Sequence, residues 1–201
     1  MDKGSMLGIP IYRFYYPPKK RDKVRENIYD LNWKRNPQNW MWDRSDNEKL
    51  HDLPAFKELF EWFGECLNEV KKDLNLTCDS LSIVNSWANL NQKGQSFHDH
   101  VHPNAFMSSN YYVCGGEGSH TVWHIKNPYF ENNILPLDYE SDIEIKHYEP
   151  TEPGKFIVFP PHIYHYSTDN INDSDRITIA ANIFPNGSIN YGSVSRFNIS
   201  V

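Results

Sequence analysis

The 201-residue sequence has few of the features that would assign it to several common classes of protein. It has only three cysteines, an odd number without close pairs, which argues against a disulfide framework and for a reducing, cytoplasmic compartment: Cys66, Cys78 and Cys114. It contains no run of about 20 apolar residues, so we expect no membrane span, and its first residues lack the pattern of a signal peptide. The net charge is −6, from 26 acidic and 20 basic residues, which does not favour the broad basic surface of a nucleic-acid-binding protein.

Several catalytic motifs are also missing. The sequence has no Gly-x-Ser-x-Gly elbow, no phosphate-binding loop and no Cys-x-x-Cys zinc motif. Its one basic cluster, residues 19–25, is short, and we interpret it as a solvated loop. These absences argue against the commonest hydrolases, nucleotide-binding enzymes and zinc fingers.

Aromatic residues, by contrast, are abundant, with six Trp, twelve Tyr and eleven Phe, and a chain of this length fits a single domain over residues 1–201. Residues 52–75 place apolar side chains at helical spacing and predict a helix. After residue 80, short apolar or alternating segments between Gly, Pro, Asn and Asp predict a β-sandwich or barrel. We therefore predict a mainly β protein in which residues 1–78 form a helical N-terminal extension on a β-core of residues 79–201. The helical part could also form a homodimer interface.

The predicted strands of the core are residues 81–90, 107–114, 120–127, 142–148, 155–160, 163–168 and 176–184. Residues 7–18 predict one more strand on a sheet edge. The Gly-rich residues 115–118 predict a hairpin turn.

Histidines cluster at residues 98–102, which read His-Asp-His-Val-His. Residues two apart on an extended segment share a face, so either His100 with His102 or His98 with His100 could bind one metal ion. Such a pair needs a third ligand from elsewhere in the chain, and His162 and His165 follow a Pro-rich turn downstream. The alternative is a surface turn without any ligand role.

An arginine follows these downstream histidines in the sequence. Arg176 comes eleven residues after His165 and opens an alternating segment in which Thr178 shares its face. The chain thus contains, in this order, a possible metal-binding pair of histidines, a distant histidine and an arginine at the start of a strand.

In that order, the segments resemble the Fe(II)/2-oxoglutarate-dependent oxygenases, and most of all a bacterial and phage subgroup with a His-x-His-Pro motif. The resemblance covers roughly residues 80–185 and is carried by Trp87-Ala88-Asn89, by His100-Val101-His102-Pro103, by residues 108–112, by residues 154–165 ending on His165, and by residues 176–182. It implies a double-stranded β-helix (jelly-roll) core and an iron-dependent dioxygenase. Such an enzyme would hydroxylate an unidentified substrate with 2-oxoglutarate and O₂ and release succinate and CO₂.

The resemblance also implies roles for single residues. Three histidines would bind Fe(II): His100, His102 and His165. Arg176 would form a salt bridge with the far carboxylate of 2-oxoglutarate, because its planar fork binds a carboxylate at two points, and Thr178 and Tyr112 could donate to the same group. Asn89 and Asn182 would either line the pocket or satisfy buried backbone groups.

The sequence departs from the wider superfamily at the second ligand. Most members present His-x-Asp or His-x-Glu, which completes a site of two histidines and one carboxylate. Here His102 stands at that position, and Asp99 is out of phase with His98 and His100 on an extended strand. Three neutral imidazoles would leave the charge of the ion uncompensated, so the anionic 2-oxoglutarate would neutralise it. Ser109 also stands where the subgroup has Gly.

Two other classes of function remain open. The chain could be a cupin-like metalloprotein whose chemistry does not use 2-oxoglutarate, since three-histidine sites also suit zinc. It could also be a non-catalytic β-sandwich that binds a ligand or belongs to a virion. Arg176 discriminates, because a cupin would not need an arginine aimed at its metal pocket. Away from the cluster, we expect Trp123 to pack in the core or in a lid, with contact to a substrate as the alternative. We expect three histidines on exposed strand faces: His120, His124 and His147.

Overall fold

The helices of this computed structural model lie in the N-terminal part of the chain. The structure describes residues 1–6, 8–35, 41–116, 118–125, 145–191 and 195–201. Helix α1 spans Pro18–Tyr29 and helix α2 spans Lys57–Asp73. Short 3-10 turns at Leu50–Asp52 and Pro54–Phe56 precede α2. The predicted helix over residues 52–75 is thereby confirmed, with its first residues in the tighter turns.

Helix α1 corrects the prediction that the basic cluster at residues 19–25 is a loop. Pro18 occupies the first turn of the helix, where its missing N–H has no helical acceptor to satisfy. Val24 and Ile28, four residues apart, are buried, while most of the charged side chains around them are exposed. The cluster is solvated as expected, but two apolar contacts suffice to hold it as a helix.

Thirteen strands are found among the described residues, and all of the pairings between them are antiparallel. They are β1 Asp2–Met6, β2 Ile9–Tyr15, β3 Trp33–Lys34, β4 Asp43–Ser45, β5 Ser80–Asn91, β6 Phe97–His100, β7 Met107–Cys114, β8 His120–Ile125, β9 Ile145–Pro150, β10 Lys155–Phe159, β11 Tyr164–Ser167, β12 Arg176–Tyr191 and β13 Ser195–Ile199. All seven predicted core strands have a counterpart here. Residues 126–127 and 142–144, which the sequence assigned to two of them, lie outside the described residues.

The strands form two sheets whose topology is that of a double-stranded β-helix. The larger sheet has the order β1-β2-β10-β7-β12-β5-β4-β3, with β13 also paired to β12, and the smaller has the order β6-β11-β8-β9. From β5 to β12 the chain passes back and forth between the two sheets, which wraps eight strands around a common interior. The predicted mainly β, jelly-roll class is confirmed.

Three details differ from the sequence-based picture. Residues 1–78 contribute strands β1–β4, which extend the larger sheet at both ends, in addition to the two helices. Strand β2 lies between β1 and β10, so the predicted edge strand is internal. The Gly-rich connection after Cys114 is not a hairpin, because β7 belongs to the larger sheet and β8 to the smaller one.

The two faces of the larger sheet have different roles. On β12, Ile177 and Ile179 are buried in a core that also contains Phe63 of α2. Arg176 and Thr178 alternate with them and line a cavity between the two sheets. The helices therefore cover the outer face of the sheet, and the functional candidates collect inside.

Candidate metal centre

Strand register brings the three predicted ligand histidines together. His100 on β6 lies directly opposite His165 on β11. His102 follows β6 by two residues, and its backbone N–H donates to Pro161 O at 2.9 Å, which ties it to the turn that precedes β11. One possible ligand atom from each of the three histidines lies within 4.8 Å of the others. The structure thus converges on the same three side chains that the sequence motif singled out.

The hydrogen bonds of these histidines fix which ring nitrogen faces the common point. Each Nδ1 lies 2.9 Å from an oxygen that can only accept: His100 from His98 O, His102 from Asn182 Oδ1, and His165 from Ile163 O. Each Nδ1 therefore carries the proton and each Nε2 offers a lone pair. The Nε2 atoms of His102 and His165 are 3.2 Å apart. Two lone pairs at that distance repel each other unless a cation lies between them, so the donor set fits a divalent metal ion.

Burial keeps the three rings in the neutral form that can bind metal. Removal from water lowers the pKa of His100, and it lowers the pKa of His102 to about 4, with the neighbouring His100 adding to the effect. Burial also lowers the pKa of His165 well below its ordinary value. All three imidazoles are therefore unprotonated at neutral pH.

The other histidines considered as ligands lie outside this group. His162 is exposed. His98 is exposed as well, at the rim of the site, with its ring 5.0 Å from Trp42 and 5.3 Å from Phe97. The structure therefore groups neither His98 nor His162 with the three histidines that could hold a metal ion.

No carboxylate joins the histidine group in the part of the chain that the structure describes. Asp99 lies between His98 and His100 but faces the other way, where it contacts His124 Nε2 at 2.8 Å. The prediction that His124 is exposed is wrong, since it is 4% exposed and held by this contact. Of the other two, His120 and His147 are both half-buried.

A cavity extends from the histidines to Arg176 between the two sheets. It has about 630 Å³ of empty space, part of which is open to solvent. Arg176 is only 1% exposed, and it donates to Thr168 O and to Ser167 Oγ, each at 2.7 Å. Burial lowers the pKa of Arg176 to about 10, so the guanidinium remains protonated at neutral pH.

Arg176 is a buried cation that no carboxylate of the described residues contacts. Among the described residues, no Asp or Glu oxygen lies within 4.0 Å of its nitrogens, and Arg176 is the one Asp, Glu, Lys or Arg residue that lines the cavity. Burying a charge without compensation is unfavourable by several kcal/mol (about 3–5 for a broken buried pair). The arrangement therefore suits an anionic ligand that enters the cavity.

Three of the remaining residues predicted to bind the cosubstrate lie side by side on neighbouring strands, in the same cavity wall as Arg176. Thr178 lies between Asn89 of β5 and Tyr112 of β7, and all three line the cavity. The hydroxyl groups of Tyr112 and Thr121 are 2.7 Å apart, in a buried hydrogen bond. Asn182 is not part of the cavity wall, and its hydrogen bond to His102 gives it a role that neither sequence alternative described.

Three buried polar atoms of the cavity wall have no hydrogen-bond partner within the described structure: Asn89 Oδ1, Asn91 Nδ2 and Trp123 Nε1. Most buried polar groups in folded proteins are paired, so such a group within a cavity marks a place for a ligand or ordered water. The sequence analysis missed Asn91. Trp123 packs in a buried cluster with Tyr112 and Phe159, as predicted, and its ring also lines the cavity. Asn91 could have been found as the next inward residue of the strand after Asn89, and it lies directly opposite Arg176.

Comparison with known proteins finds one matching family model and many solved structures with a similar fold. Residues 85–182 match the model of a family described as "Putative 2OG-Fe(II) oxygenase". No curated protein matches the sequence. The matched segment contains all three histidines of the centre and Arg176.

Solved structures with the same fold include several oxygenases. An oxidoreductase of the 2OG-Fe(II) oxygenase family from Burkholderia pseudomallei is 9% identical over 86% of this chain and 83% of its own, with a TM-score of 0.61. A prolyl-4-hydroxylase from Pseudomonas putida is 11% identical over 88% and 93%, with a TM-score of 0.59. HygX from Streptomyces hygroscopicus, solved with nickel, 2-oxoglutarate and hygromycin B, is 10% identical over 87% and 82%, with a TM-score of 0.60. At these identities the likeness establishes the double-stranded β-helix fold.

Proposed function

Because the core of this chain, residues 85–182, belongs to the 2OG-Fe(II) oxygenase family, we propose that its cavity is the active site of a 2-oxoglutarate-dependent dioxygenase that hydroxylates a substrate C–H bond. One observation carries the assignment of the site. Three proton-free imidazole nitrogens meet in a cavity that also holds a buried arginine, and no carboxylate of the described residues contacts that arginine. A metal ion and a dianionic ligand together would satisfy both the imidazoles and the arginine.

In this proposal the metal is Fe(II), held by Nε2 of His100, His102 and His165. The Nδ1 hydrogen bonds orient each ring and raise the basicity of the opposite nitrogen. Asn182 then acts on the metal through His102 rather than as a pocket donor. Imidazole nitrogens suit iron as well as zinc and nickel, so the choice of Fe(II) rests on the family.

The far carboxylate of 2-oxoglutarate is assigned to Arg176. The guanidinium is fixed by Ser167 and Thr168, which leaves the ligand to supply the negative charge that the protein does not. Thr178 and Tyr112 are close enough in register to donate hydroxyl hydrogens to the same group. Asn91, opposite Arg176, adds an amide donor whose hydrogens are otherwise unused, and Asn89 contributes the polar wall beside it.

Bound at the histidines, Fe(II) supplies the activation of O₂, and 2-oxoglutarate, O₂ and a substrate C–H yield succinate, CO₂ and a C–OH product. The task of the chain is to position these partners and to exclude water. Trp87, Trp123 and Phe159 are nearly buried side chains that wall the cavity with apolar surface. Such a wall strengthens the electrostatic hold of Arg176 on an anion, because the local dielectric constant is low.

The cupin-like alternative is disfavoured by Arg176, since a metal centre that does not bind an anion gains nothing from a buried cation across its cavity. We place the protein in the cytoplasm, in keeping with three unpaired cysteines. No helix in the described part of the chain is long and apolar enough to cross a membrane.

The experiment that tests the proposal is an anaerobic titration of the protein with Fe(II) and then with 2-oxoglutarate. We expect a weak visible charge-transfer band only when both are present, and its loss in a His165→Ala variant. If calorimetry detects Fe(II) binding but neither heat nor a band appears with 2-oxoglutarate, the oxygenase proposal is wrong for this chain.

A further inference from the structure

Trp123 is a completely buried tryptophan whose one polar atom is unused. Its exposed fraction is 0%, it lines the cavity, and its indole N–H has no acceptor among the described residues. The indole nitrogen can only donate, so it needs an acceptor, and the described residues supply none. A buried donor of this kind is unfavourable unless a ligand or water accepts from it.

The ring is also held in place. It stacks on His147, with centroids 5.5 Å apart and an interplanar angle of 11°, and it contacts Phe159 at 5.7 Å between centroids. A ring packed on two sides presents its N–H in a fixed direction. The donor is therefore preorganised rather than left over from a mobile side chain.

The register of the smaller sheet shows that Trp123 lies beside the three histidines of the cavity. Trp123 on β8 lies opposite His165 on β11, and His165 lies opposite His100 on β6. Two residues along, Thr121 lies opposite Ser167, which is the acceptor for Arg176. Rows two residues apart on one face are separated by about 7 Å. Trp123 thus belongs to the row of the metal ligands and not to the row of Arg176.

We propose that Trp123 donates its indole N–H to the metal-chelating end of the bound 2-oxo acid, and that it thereby positions the cosubstrate on the metal. The inference rests on the proposed function, because it takes 2-oxoglutarate as the ligand. The chemistry is complementary: both carboxylates and the keto group of 2-oxoglutarate only accept hydrogen bonds. Asn91 and Arg176 serve the far carboxylate, and Trp123 supplies a donor at the opposite end.

The test is a Trp123→Phe variant, which removes the N–H and keeps an aromatic ring, titrated anaerobically with Fe(II) and 2-oxoglutarate. We expect the affinity for Fe(II) alone to stay within about twofold of wild type. The affinity for 2-oxoglutarate should fall about tenfold or more, as expected for a lost hydrogen bond to a charged acceptor. The visible charge-transfer band should move to shorter wavelength, because a hydrogen bond to the chelating group lowers the energy of its empty orbital.

The matched control is Trp62→Phe, since Trp62 packs in the outer core against Phe63 and Phe156 and does not line the cavity. It should change neither the affinity nor the band. An unchanged affinity in Trp123→Phe refutes the inference. So does a reduced affinity with an unmoved band, because the donor would then act elsewhere or only through packing. A wild-type protein that gives no band with 2-oxoglutarate refutes the proposed function instead.

A measurement on the wild-type protein covers the case in which Trp123→Phe does not fold. With ¹⁵N-labelled tryptophan and Zn(II) as a diamagnetic substitute for iron, the indole N–H signal of Trp123 should move downfield when 2-oxoglutarate is added. Its burial identifies it as a signal protected from exchange with solvent. If no protected indole signal moves while calorimetry shows 2-oxoglutarate binding, Trp123 is not a donor to the cosubstrate.

Discussion

Replacement of Arg176 by Leu separates binding of the cosubstrate from binding of the metal. The guanidinium is 1% exposed and lies at the far end of the cavity from the three histidines. Its hydrogen bonds go to Thr168 O and Ser167 Oγ, not to any metal ligand. The substitution should therefore remove the anion site and leave the metal centre intact.

The expected loss follows from the hydrogen bonds that a carboxylate would accept. Two bonds from the guanidinium to a carboxylate, at about 1.5–3 kcal/mol each, amount to about 3–6 kcal/mol, or a loss of about 10²- to 10⁴-fold in 2-oxoglutarate affinity. The stability of the ligand-free protein should change much less. Arg176→Leu leaves two acceptors without their donor, but it also removes a buried cation that no carboxylate among the described residues contacts.

Thermal unfolding and calorimetry check both halves of this reasoning. In the presence of Zn(II), 2-oxoglutarate at about 100 times its wild-type dissociation constant should stabilise the wild-type protein by about 2.7 kcal/mol. The same concentration should stabilise Arg176→Leu by about 0.4 kcal/mol or less. Arg176→Lys, which keeps the charge and loses the fork, should lie between them. Arg25→Leu, on the exposed side of α1, serves as the control for loss of an arginine. Equal stabilisation of wild type and Arg176→Leu by 2-oxoglutarate would refute the assignment of this residue and with it the main argument against a cupin-like protein.

Three further predictions concern the metal centre. His165→Ala should abolish Fe(II) or Zn(II) binding in calorimetry while the exposed His162→Ala retains it, and the reverse result would reassign the third ligand. Asn182→Leu removes the acceptor of His102 Nδ1 and should weaken metal binding by about 10- to 100-fold without unfolding the protein; an unchanged affinity would show that this hydrogen bond does not matter. Because burial lowers the pKa of His102 from 6.5 to about 4, the unfolded chain takes up its proton first as the pH falls. The free energy of unfolding of the metal-free protein, measured with urea, should therefore fall as the pH drops from 6.5 to about 4. His102 should contribute up to about 1.4 kcal/mol per pH unit to this fall. The same slope in a His102→Gln variant would contradict the reasoning.

Local pattern was enough to predict the elements that are long or strictly periodic. Helix α2 carries its apolar stripe through about three turns. The core strands alternate or run apolar between turn residues. The N-terminal strands could not be predicted in the same way. Strands β3 and β4 have two and three residues, too few for any period, and they exist because β5 offers a sheet edge on which β4 pairs. Pairing of this kind is a tertiary effect that sequence propensity does not contain.

Strand register explains most of the other differences between the sequence-based prediction and the structure. The contact between the buried His124 and the exposed Asp99 forms because β8 and β6 both lie beside β11. The sequence between β6 and β8 contains no local signal for this arrangement. The same limit applies to the cavity. The His-x-His motif and the later histidine could be picked out by spacing, because metal ligands need particular residue types at particular intervals. An unpartnered indole or amide donor can be found only once its neighbours are known to lack an acceptor.

The charge of the assembled site follows from the same geometry. Three neutral imidazoles leave a divalent ion with its full charge, and Arg176 adds a further positive charge at the other end of the cavity. Asp99, the nearest carboxylate in sequence, is directed to His124 and does not offset them. A dianionic 2-oxo acid would reduce this excess from both ends at once, so metal and cosubstrate should each raise the affinity of the other, by the reciprocity that linkage requires. Most oxygenases of the wider superfamily place a carboxylate among the ligands. The proposed site would leave that compensation to the cosubstrate, and its metal centre would be complete electrostatically only with 2-oxoglutarate bound.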